Sequence, residues 1–226
     1  EGRPYDEDGL GSPDFRKAAH DAYAVRGINA VSIYMTDDNH FGCPRMYNPA
    51  QEAKVRAYVD LVHRRGFRIT PYTGWGVNAN IPDFATFGQE MLAEPVRNIG
   101  WGCFLHVHNQ VLQDWWLDGA RYTIEECGLD GVYGDAFSMP RLLQNELEGY
   151  AWTDRAGRPR GTYGIWAIRE FIERLYVFCH VESSRPAIVR NHYNEEIYAI
   201  GGFTDERVTG EGQYHAGDTL LGVHSP

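Results

Sequence analysis

The stretch QVLQDWWLDGARYTIEEC (residues 110–127), closed by Gly128 and followed by LDGVYGDA (129–136), decides the fold. Its first part predicts an amphipathic helix. Gly128 supplies the stop that helices commonly take just past their last turn. The second part predicts a short strand that runs straight into a carboxylate, Asp135.

The same helix, glycine, strand unit recurs along the chain. Residues 13–26 predict a helix that stops at Gly27 and leads to INAVSIYM (28–35). Asn48 and Pro49 supply an N-cap and a first-turn residue for a helix over 49–65, whose stripe is Val55, Tyr58, Val59 and Val62. Gly66 ends it, and FRITPYT (67–73) follows as a strand. TYGIWAIREFIERLYVFCHV (162–181) carries the stripe Ile165, Ile168, Phe171, Ile172, Leu175 and Phe178, and PAIVRNHY (186–193) follows it. A short helix around 194–200 precedes a last strand in GFTDERVTGE (202–211).

Helices alternating with short β-branched strands predict a parallel α/β sheet. No glycine-rich phosphate loop follows any strand, so a nucleotide-binding sheet has no support. The expected class is a (β/α)8 TIM-type barrel. Five strands are clear, and CFLHVH (103–108) is a sixth candidate, against eight strands and ~250 residues for a whole barrel. The barrel is therefore expected to be incomplete, a single partial catalytic domain over 1–226. Segments 74–100 and 137–161 read as long irregular loops on the ligand face.

Composition narrows the function. The 226 residues carry a net charge of −10, which gives nucleic acid no basic face to bind. No apolar run reaches the ~18 residues that a membrane span needs. Cysteines 43, 103, 127 and 179 show no short zinc-type or CxxC spacing. Cys127 and Cys179 fall on predicted helices and read as small core residues.

The strands end in IYMTDD, PYTGW, VYGDAF, VRNHY and VTGEG, and parallel α/β folds bind their ligands at such carboxyl ends. Asp135 is the first catalytic candidate. Glu211, between Gly210 and Gly212, is the second. Two carboxylates at the ends of different strands are the minimum equipment for glycoside hydrolysis: one protonates the leaving oxygen, and the other attacks the sugar or activates water. Asp205 and Glu206 are the alternative pair, and on a strand only one of them can face the lumen. Tyr72, Trp75, Asn191, His192, Asp37, Asp38 and His106 are the candidate sugar contacts, with Trp75 as a stacking platform. His106 and His108 have a metal-ligand spacing, which makes a metal-dependent hydrolase one alternative. A non-catalytic carbohydrate-binding barrel is the other. The primary expectation has no metal and no cofactor.

WWLDGARYTIEECGLDGVYGDAF (115–137), VHRRGFRITPYTGWG (62–76), the run 160–193 and TDERVTGEGQYHAGD (204–218) together resemble a bacterial group related to glycoside hydrolase family 123, the β-N-acetylgalactosaminidases. The resemblance spans about residues 27–218. It implies a TIM-type catalytic domain acting on glycans without a metal, in an extracellular or periplasmic setting. It sets Asp135 and Glu211 at the family's acidic strand ends. Characterised members use an adjacent Asp-Glu dyad, whereas Asp135 here precedes Ala136 and the later dyad is Asp205–Glu206. Family members are also longer, so Glu1 and Pro226 are expected to be cuts within a longer chain.

Overall fold

A computed structural model describes residues 21, 24–27, 29–34, 45–74, 76–77, 81–91, 103–104, 109–135, 151–161, 164–192 and 198–208. Its centre is a five-stranded parallel sheet. The strands are β1 (Ala30–Tyr34), β2 (Arg68–Gly74), β5 (Gly131–Asp135), β8 (Ile188–His192) and β9 (Glu206–Val208), in that spatial order. Helices α1 (Pro49–Arg64), α3 (Gln110–Arg121) and α4 (Ile165–Val177) connect neighbouring strands, and α5 (Tyr198–Gly201) precedes β9. Sequential order equals spatial order, which is the winding of a barrel rather than of a doubly wound sheet.

Local chemistry sets the helix ends. The Asn48 side chain accepts from the amides of Ala50 and Gln51, with Pro49 at the first helical position. Asn109 caps α3 in the same way, accepting from Val111 at 2.8 Å. Helices α3 and α4 each widen into a π-helical turn, Tyr122–Glu126 and Phe178–Glu182. Buried Cys127 follows the first of those turns, and buried Cys179 lies within the second. Burial pushes the Cys127 thiol up to about 11 and the Cys179 thiol up to about 12.

Alternation along the strands separates two faces. Ile33, Ile69, Val132 and Val189 face the helices and build the core. They pack with Val55, Val59 and Val62 of α1, with Leu112 and Trp116 of α3, and with Ile168, Phe171 and Ile172 of α4. Each such side chain contributes roughly 1.5–3 kcal/mol of burial. The other face is concave. Its curl is measured by Arg190 on β8, whose Nη1 donates to Ser32 Oγ on β1 at 2.7 Å across the two strands between.

The strand starts carry a device used twice. Asp130, just before β5, accepts from the Ile69 amide of β2 at 2.8 Å, pairs with His63 of α1 at 2.8 Å, and donates its own amide to the Ile69 carbonyl. Asp205, just before β9, does the same to Val189 of β8 at 2.7 Å and to His180 at 2.9 Å. Each aspartate zips one strand to the start of the next and ties both to the helical segment that leads into the first of them.

Three expectations are corrected. Residues 103–104 of CFLHVH form β4 (Cys103–Phe104), which pairs antiparallel with β3 (Gly76–Val77) and adds no strand to the parallel sheet. The segment 74–100 holds helix α2 (Phe84–Met91). Asp83 fixes that helix by accepting from Tyr47 Oη and Trp115 Nε1, each at 2.7 Å. The segment 137–161 holds a hairpin of β6 (Ala151–Thr153) and β7 (Pro159–Gly161), tied by Asp154 to Arg158 and Arg160. Short elements held by tertiary contacts leave little periodicity to read. No described helix is long and apolar enough to cross a membrane.

Candidate active site

The concave face gathers its polar groups along β5. Tyr133 and Asp135 alternate with Val132, so both point away from the helices. Register sets Tyr72, Tyr133, Arg190 and Glu206 side by side. One pleat higher, at the carboxyl ends, Gly74, Asp135 and His192 are neighbours.

Asp135 is held on both oxygens. The Tyr72 hydroxyl donates to Oδ2. His192 Nδ1 lies 2.9 Å from Oδ1, with 9% of the His192 side chain exposed and 34% of the Asp135 side chain. Tyr133 stands edge-on to Tyr72 with centroids 5.2 Å apart, and tilted to His192 at 6.4 Å. The carboxylate is thus braced on both sides and still open to solvent.

Arg190 closes the floor beneath it. Its Nε donates to Glu206 Oε2 at 2.6 Å, and its guanidinium lies 5.8 Å from the Tyr133 ring centroid. The Arg190 side chain is 13% exposed. With its Ser32 bond, this one residue joins β1, β5, β8 and β9 across the concavity.

The structure thus brings together Tyr72, Asp135 and His192, and sets Glu206 one layer below them. It sets Asp205 apart, at the amino end of β9 in the strand-zipping role above. Asn191 is fully buried and shares the helix-facing side of β8 with Val189, away from His192. Among the described residues its amide nitrogen and oxygen have no hydrogen-bond partner. Glu211, Trp75, Asp37, Asp38, His106 and His108 lie outside the described residues. Glu211 follows Val208, the last residue of β9, by three positions. Among the described residues no group of three His, Cys, Asp or Glu side chains is arranged to hold a metal. Sequence reasoning missed Tyr133, Ser32 and Thr70, whose hydroxyl lies 2.9 Å from that of Ser32. For Tyr133 the signal was present, because GVYGD places it two residues from Asp135 on the same face.

No family model and no curated protein sequence matches the chain. Solved structures share the fold. A cycloisomaltooligosaccharide glucanotransferase from Paenibacillus sp., complexed with cycloisomaltoheptaose, superposes with a TM-score of 0.61 at 15% identity, over 91% of this chain and 32% of that one. An alpha-galactosidase from Thermus thermophilus, in complex with stachyose, gives 0.57 at 17% identity over 92% and 44%. An alpha-amylase from Geobacillus thermoleovorans, complexed with acarbose, gives 0.57 at 12% over 91% and 47%. The chain therefore spans 32% to 47% of these enzymes' length, and its curled sheet is an incomplete TIM-type barrel, the fold it shares with them.

Proposed function

We propose that the protein cleaves O-glycosidic bonds in a glycan, with Asp135 as one reacting carboxylate and Glu211 as its partner. The observation that carries the reading is the Asp135 carboxylate, braced by Tyr72 and His192 at the carboxyl end of β5 and open to the concave face. The fold it stands on is shared with enzymes solved with oligosaccharides bound. Glu211 follows β9, which is separated from β5 by β8 alone, so the order of strands is compatible with two carboxylates facing a common cleft.

In this reading Glu211 protonates the glycosidic oxygen as the bond to the anomeric carbon breaks. As it does so, Asp135 either bonds to that carbon, giving a glycosyl-enzyme that water deprotonated by Glu211 then releases, or takes a proton from the attacking water. A carboxylate separation of ~5 Å corresponds to the first course and ~6.5–9.5 Å to the second. The Arg190–Glu206 pair supports the floor and takes no part in proton transfer. The narrower reading is an N-acetylhexosaminidase of the family 123 type. It is supported by the motif resemblance alone, and 2-acetamido sugars are accordingly part of the test.

The test is turnover on a panel of aryl glycosides and oligosaccharides, including N-acetylgalactosaminides. Asp135→Asn and Glu211→Gln are each expected to lose on the order of 10³-fold or more in kcat. Unchanged rates in both variants overturn the assignment. Binding of a glycan with no turnover by the native chain makes the protein a carbohydrate-binding barrel instead.

A further inference from the structure

We infer that Tyr72 and His192 are positioning residues for Asp135 rather than contacts to the sugar. The inference rests on the reading of Asp135 as a reacting carboxylate.

Each oxygen of Asp135 has its own partner: the Tyr72 hydroxyl on Oδ2 and His192 Nδ1 on Oδ1. The hydroxyl of Tyr72 has one proton to give, and it is committed to Asp135. The two partners come from β2 and β8, the strands on either side of β5, so turning the carboxylate breaks both contacts. The rings are fixed in turn, since Tyr72 and His192 both pack against Tyr133. Asp135 is therefore aimed by its own sheet before any sugar arrives, which is how a reacting group is preorganised.

The experiment compares Tyr72→Phe, His192→Phe and His192→Asn with the native protein, and includes Asp135→Asn as a reference. Positioning predicts that Tyr72→Phe and His192→Phe lower kcat on the order of 10²-fold while KM stays within about twofold. His192→Asn restores most of the loss, because the Asn amide nitrogen falls near the place of Nδ1. A far-downfield proton resonance from His192 Nδ1, seen by NMR without substrate, is expected in the native protein and in Tyr72→Phe and lost in Asp135→Asn. A raised KM at native kcat shows instead that these side chains hold sugar, and overturns the inference. So does native kinetics in both phenylalanine variants, or a downfield proton that survives Asp135→Asn. Native turnover in Asp135→Asn is a different result: it removes the reading of Asp135 itself.

Discussion

Gly131 shows how much one position decides. Its φ is +143°, and a Cβ there falls 2.0 Å from the Ile188 carbonyl oxygen on the paired strand. Only glycine lets β5 and β8 approach at this point. Gly131→Ala is expected to cost about 3 kcal/mol or more, read as a fall in the denaturant midpoint, and a change below about 0.5 kcal/mol contradicts the geometry. The buried thiols make a pH prediction. Their ordinary value is near 9, and folding raises Cys127 to about 11 and Cys179 to about 12. Their stability contribution is full below pH ~9 and is lost as pH rises through the folded values. Unfolding midpoints should fall more steeply above pH ~9 in the native protein than in a Cys127→Ala, Cys179→Ala double variant; equal slopes contradict this. Asp135 was legible in the sequence because it ends a strand that a helix and a glycine announce. The separation of Asn191 from His192 follows from strand alternation, which acts on every adjacent pair.

The long elements were readable because their ends are written in local chemistry. Asn48–Pro49 opens α1, and Gly66 (φ +76°) and Gly128 (φ +80°) follow the helical segments before β2 and β5. What one element does to another was not readable. Asp130 and Asp205 look like ordinary loop acids, yet each satisfies a backbone amide of the neighbouring strand and a histidine of the helical segment that leads into that strand. Asp205, a candidate for catalysis on sequence grounds, has its carboxylate engaged at the amino end of its strand. Removing either carboxylate strands a backbone amide, so Asp130→Ala and Asp205→Ala are each expected to lose roughly 1–3 kcal/mol in chemical denaturation. No loss in either variant means that the zipping contact carries no energy.

Across the whole molecule, the sheet order β1, β2, β5, β8, β9 was legible as alternating units, while its curl was not. Curl comes from strand twist and from side chains that meet over the concave face. Arg190 is the clearest of these, since it reaches Ser32, Tyr133 and Glu206 from one strand. This face gives Asp135 its surroundings: Tyr72 on one side, His192 on the other, the arginine floor beneath and solvent above. We propose that glycan cleavage runs through the carboxyl end of β5 and not through the Asp205 zipper. The most direct measurement is turnover by Asp135→Asn and Asp205→Ala, side by side on the same glycan and at a temperature where both are folded. A loss on the order of 10³-fold is expected for Asp135→Asn, and a rate within a few-fold of native for Asp205→Ala. Native turnover in Asp135→Asn, or its loss in a folded Asp205→Ala, contradicts the proposal.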